Sequence, residues 1–102
     1  MGFELRVDFA DPQWYADNRE QVSAFVQALP SVVKEASPKE YWLKASKDPW
    51  PYDLRIFIKP DALALDVIGF TGAFQSDVKL RMMEWISSQT KAVLVDDDGE
   101  PV

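Results

Sequence analysis

Leu54-Arg55-Ile56-Phe57-Ile58-Lys59-Pro60-Asp61-Ala62-Leu63-Ala64-Leu65-Asp66-Val67 decides the fold of this chain. In its first half Leu54, Ile56 and Ile58 alternate with Arg55, Phe57 and Lys59. In its second half Leu63, Leu65 and Val67 share one face. Successive side chains of a strand point to opposite sides, so this period of two describes two strands with a common apolar face. Pro60-Asp61 supplies the turn between them. Asp66, on the other side of its strand, implies that the second face is at least partly wet.

Working outward, Tyr41 to Ser46 reads as a strand leading into the punctuated stretch Lys47-Asp48-Pro49-Trp50-Pro51-Tyr52-Asp53. Gly69 and Gly72 mark the exit from the last strand of this group. A helix is expected from about Ser76 to Ser88, with Val78, Met82, Trp85 and Ile86 on one stripe. Ala92 to Val95 is a short final strand before a polar tail. At the other end Phe3, Leu5, Val7 and Phe9 alternate with Glu4, Arg6 and Asp8 as a half-buried strand. Asp11-Pro12 then starts a helix: Asp11 accepts from free backbone N–H groups, and Pro12 occupies the first helical position. Tyr15, Val22, Phe25, Val26 and Leu29 form its apolar stripe. Pro30 and Ser37-Pro38 break the pattern, leaving Ser31 to Ala36 as a helical extension, a separate helical turn or a loop.

The order is β-α-β-β-β-α-β, and three consecutive strands favour antiparallel pairing. The expected fold is a single α+β domain over residues 1–102, two-layered, with a mainly antiparallel sheet and two helices on one face.

Composition narrows the function classes. The chain has no histidine and no cysteine, and 17 Asp and Glu outnumber 11 Lys and Arg. Thiol nucleophiles, Ser–His pairs, Cys/His zinc sites and imidazole acid–base chemistry all require absent residues. No carboxylate spacing singles out a hydrolytic pair, and Gly69 and Gly72 do not build a phosphate-cradling loop. We therefore expect no catalytic residue, no metal and no cofactor. A formal charge of −6 argues against direct nucleic-acid binding, because neutralising phosphate needs clustered Lys and Arg. The charge is uneven: residues 1–33 sum to −3, 34–59 to +2 and 60–102 to −5. Such polarity steers a basic partner. Neither a membrane span nor a secretory signal is expected: Met1-Gly2-Phe3-Glu4-Leu5-Arg6 lacks a basic stretch followed by an apolar run. A cytoplasmic location is the default.

Two features stand out as partner-binding candidates. Asp96, Asp97, Asp98 and Glu100 make the densest charge run, readable as an anionic finger for a basic cleft. The plainer reading, a solvated turn and tail with Asp98-Gly99 as its turn residues, is preferred for a terminus. A calcium loop is disfavoured because the distal Glu is missing. Trp50 and Tyr52 are fenced by Pro49 and Pro51, which restrict the backbone and favour use as anchors, with Asp53 as an acceptor beside them. Alternatively Trp50 closes one end of the core. Trp42 and Phe57 fall opposite the apolar positions of their strands. With Ile68 and Phe70 they form either an exposed patch or a surface covered by the first helix or by Ser31–Ala36, the covered arrangement being preferred. Trp14 shares that ambiguity.

In size, negative charge, α+β pattern, the proline-fenced Trp50-Pro51-Tyr52 and the closing Val95-Asp96-Asp97-Asp98-Gly99-Glu100-Pro101-Val102, the chain resembles small acidic immunity proteins of bacterial toxin–immunity pairs. That resemblance implies a cytoplasmic antidote blocking the active site of a basic toxin, delivered by type VI or contact-dependent secretion and acting on nucleic acid or nucleotides. A non-catalytic adaptor or assembly subunit is the alternative. A small carboxylate-dependent enzyme or ligand-binding domain comes third.

Overall fold

The computed structural model describes residues 2–30, 32–37, 39–44, 49, 51–68, 72–96 and 98–102. Among the described residues, six strands and two helices follow one another as β1 (Gly2–Phe9), α1 (Pro12–Gln27), β2 (Val32–Ser37), β3 (Glu40–Leu43), β4 (Leu54–Ile58), β5 (Leu63–Ile68), α2 (Gly72–Gln89) and β6 (Ala92–Val95). The strands form one sheet in the order β2-β3-β4-β5-β1-β6, and every neighbouring pair is antiparallel. The domain is α+β, as the strand and helix pattern predicts. Every expected element is present, in the expected sequence.

β2 is an additional strand, in the segment that periodicity left as helix, turn or loop. It is an edge strand: Val33 to Ser37 are exposed on both sides, so no alternation of apolar residues marks it. Its register against β3 shifts between Val32 and Lys34 and again between Glu35 and Ser37. Bulges of this kind, with Lys34 and Glu35 beside them, discourage a further strand from joining the edge.

The sheet's inner face follows from register. Leu54, Ile56 and Ile58 stand opposite Val67, Leu65 and Leu63, and Leu65 and Leu63 in turn face Leu5 and Val7 across the next pairing. Tyr41 and Leu43 extend that face through β3, and Leu94 extends it through β6. All these side chains are buried in one cluster with Tyr15, Val22 and Val26 of α1 and Val78, Met82 and Ile86 of α2. Both helices therefore cover the same face.

Each helix end has a local cause. Asp11 caps α1 by accepting from the Gln13 N–H at 3.1 Å, and Pro12 follows it. α1 bends at Asn18, whose backbone leaves helical geometry while its side-chain amide donates to the Trp14 carbonyl at 2.8 Å. The bend lets residues on both halves of α1 reach one ring of α2. Trp85 lies edge-on to Trp14 at 6.3 Å and stacks on Phe25 at 4.7 Å. Trp14 thus packs on the helical layer, which resolves its ambiguity.

The β4–β5 turn is held from the helix side. The Tyr15 hydroxyl lies 2.6 Å from the Lys59 carbonyl and 2.9 Å from that of Ala62, and it donates into this pair. Burial, with Asp61 adding and Arg19 opposing, pushes the phenol up to about 12. A neutral phenol is thus favoured by folding. Its contribution is complete below the ordinary value of 10.0 and disappears as pH climbs through about 12. Tyr15→Phe is expected to lose roughly 1–3 kcal/mol at neutral pH. In urea melts at successive pH values it should also show a smaller alkaline decline than the parent; an unchanged decline excludes Tyr15 as its source.

Candidate functional site

With both helices on one face, the outer side of the sheet carries the alternate residues. Two rows of neighbours run across it. One row is Lys34, Trp42, Arg55, Asp66 and Glu4, on β2, β3, β4, β5 and β1. The next is Ser37, Glu40, Phe57, Ala64, Arg6 and Val95, crossing all six strands. Directly opposed residues in an antiparallel pair have neighbouring side chains, so each row is a line of contacts.

Rings and cations interleave at the β2–β4 end. The Lys34 ammonium sits 4.5 Å from the centre of the Trp42 ring. Trp42 meets Tyr52 with centroids 4.9 Å apart. The Arg55 guanidinium lies 4.5 Å over Tyr52 and 5.2 Å over Phe57. Each such contact is worth roughly 0.5–2 kcal/mol, the upper end requiring desolvation. The indole N–H of Trp42 donates to Glu40 at 2.6 Å. Arg55 donates to Asp66 from Nε at 3.0 Å and also through Nη2. Burial opposes the Arg55 charge, but the hydrogen bond and charge of Asp66, with Tyr52 and Glu40 nearby, outweigh it and raise its pKa above the usual arginine value. Side-chain exposures of 28% and 22% place this pair between a screened surface bridge and a buried one. Lys59 reaches Glu4 at 3.9 Å, a looser and more exposed contact.

At the opposite edge the chain folds back on β6. Asp96 accepts at Oδ1 from the Asp98 N–H at 2.9 Å and the Glu100 N–H at 3.0 Å, while Val95 pairs with Pro101. Gly99 has φ +82°, a conformation that side chains disfavour, and a methyl there would stand 3.7 Å from Arg6 Nη2. The Arg6 side chain therefore passes close to the acidic turn at Gly99. One carboxylate of the run is committed to holding the turn; Asp98 and Glu100 are exposed.

The expected site residues are thus dispersed. Tyr52 belongs to the ring cluster and Asp98 and Glu100 to the acidic turn, while Asp96 serves the turn's backbone. Asp53, expected to face a partner, is 3% exposed, with its N–H given to the Leu43 carbonyl. Its backbone closes the β3–β4 connection. Trp50 and Asp97 lie outside the described residues, as do Gly69 and Phe70. Neither proposed cover shields Trp42 and Phe57. α1 packs on the other side, and β2 lies beside β3 rather than over it. Lys34, Arg55 and Glu40 were not singled out from sequence, because their juxtaposition depends on register.

Among the described residues, no group of three or more Asp and Glu could hold a metal ion, and no helix is long and apolar enough to cross a membrane. Compared with known proteins, the chain matches no family model, no curated protein and no solved structure at a significant level.

A double-mutant cycle on Arg55→Ala and Asp66→Ala, measured by urea unfolding, should give a coupling of about 1 kcal/mol or more. Additive losses indicate that the pair does not act as a unit.

Proposed function

We propose that this chain is a non-catalytic protein-binding module of the immunity type, using the outer sheet face to occlude the active site of a basic toxin domain. The observation that carries the reading is one face joining a pre-stacked set of half-buried rings to an exposed acidic turn. Rings already held against cations lose little freedom when a partner arrives, which favours their use as anchors. Asp98 and Glu100, roughly 19–24 Å away across the sheet, supply the field that attracts a basic cleft. A partner of ordinary interface size spans both features. A cytoplasmic location belongs to the same reading.

An open antiparallel sheet bearing rings and cations is also a form used to stack nucleic-acid bases. Here Glu40, Asp66 and Glu4 sit among the cations, and Arg55 is already matched by Asp66. Phosphate would meet repulsion where it needs attraction. The adaptor alternative uses the same surface on a partner without enzymatic activity.

The test starts from the protein captured by the immobilised chain in its native host, then purified. The expected partner is an enzyme inhibited at a one-to-one ratio. Trp42→Ala should weaken its binding by ~2 kcal/mol or more while leaving the circular dichroism spectrum intact. Reversing Asp98 and Glu100 to Lys should chiefly slow association and flatten its salt dependence. A partner without activity supports the adaptor reading instead, and turnover of a substrate by the isolated chain defeats both.

A further inference from the structure

The outer face is self-complementary. A twofold axis running parallel to the strands between β4 and β5 exchanges β4 with β5, β3 with β1 and β2 with β6, and it leaves each row over itself. Applied to the strand register, Arg55 of one copy comes over Asp66 of the other, Glu40 over Arg6, and Phe57 over the small Ala64. Lys34, at the β2 end of its row, comes over the edge that carries the acidic turn. The charged oppositions join unlike signs, while Trp42 comes over Glu4 and Ser37 over Val95. The uneven charge of the sequence becomes spatial in the same sense. Most of β2, with β3 and β4, comes from the +2 segment 34–59, whereas β5, β1 and β6 come from the two acidic segments.

We infer that two copies of this chain pack outer face to outer face about that axis. Isologous interfaces require a surface complementary to itself after a half-turn, and this face meets the condition at its charged positions, Arg55 with Asp66 and Glu40 with Arg6. Central charges can be covered because Arg55 and Asp66 already neutralise one another within a copy, and the other copy adds a second such pair. Lys34 is different: it rests on a ring and, among the described residues, has no carboxylate within ion-pairing distance. The half-turn brings it toward the edge of the second copy that bears the exposed Asp98 and Glu100. Six strands at ~4.8 Å spacing and about 20 Å of length give roughly 1,000 Å² for the two faces together, the lower end for a specific interface. Sheet twist rotates aligned sheets by about 30°, so the fit is closest at the centre, at Arg55–Asp66. The inference does not rest on the toxin reading. If both hold, a partner meets the face only after the pair separates.

Sedimentation equilibrium of the isolated protein decides it. At low salt and tens of micromolar concentration the mass should approach twice 11.6 kDa, falling toward the single value as salt is added. Glu40→Lys and Arg6→Glu should each weaken the dimer at least about tenfold, since the symmetry counts every like-charge contact twice. The combined Glu40→Lys, Arg6→Glu protein should dimerise again. Within one copy these two residues are three strands apart, so recovery reports contact between copies; circular dichroism checks folding of each variant. A monomer at every concentration overturns the inference. So does a dimer indifferent to the single reversals, or one that the combination leaves broken.

Discussion

The alternation of side chains along the β4–β5 hairpin is the constraint on which the rest of the molecule depends. Once Leu54, Ile56, Ile58, Leu63, Leu65 and Val67 turn to one side, they form the aliphatic surface on which the apolar stripes of both helices pack. The same parity sends Arg55, Phe57 and Asp66 to the other side. Core and candidate site are therefore two consequences of one pattern. A residue cannot change face without shifting the register of its whole strand.

Large rings on a sheet face that neither helix covers need support, and this chain supplies it from cations. Lys34 and Arg55 cap the rings of Trp42, Tyr52 and Phe57, while Glu40 and Asp66 hold the polar atoms of that cluster. The result is a surface ordered before any partner arrives. At the far edge the same economy operates through the backbone: Asp96 satisfies two N–H groups of the turn, which keeps Asp98 and Glu100 presented beside Arg6. Both devices convert flexible, charged sequence into fixed geometry.

Local pattern made most of the fold legible and little of the site. Period-two alternation announced β1, β4 and β5, and the Asp11-Pro12 start and helical stripe announced α1. β2 escaped because an edge strand exposed on both faces has no periodic signature, and Val32-Val33 alone does not distinguish strand from loop. The outer face was only half readable. Trp42 and Phe57 could be placed on it by parity, but the side on which α1 packs depends on tertiary contacts that no local window contains. Pairing of Lys34 with Trp42 and of Arg55 with Asp66 needs strand order and register, which sequence periodicity leaves open. Asp53 is a related case: in a polar, proline-rich stretch its burial goes with a backbone bond to the Leu43 carbonyl in a different strand, which no local window contains. Asp98-Gly99 marks the acidic run as a turn, but its closure onto β6 is not visible in the sequence. The run is a closed turn because Gly99 takes a positive φ and Pro101 returns to Val95.

Adjacent residues of β4 offer the most direct test of this division between faces. Ile56 is fully buried under the helices, and Phe57 is only partly covered on the outer side. Urea unfolding of Ile56→Ser and Phe57→Ser, compared in one buffer at high salt, reads the two environments through the same backbone. The account predicts a loss of about 3 kcal/mol or more for Ile56→Ser, from a cavity and a buried hydroxyl, and at most about 1.5 kcal/mol for Phe57→Ser. Equal losses at the two positions would contradict it, since the outer face would then be interior.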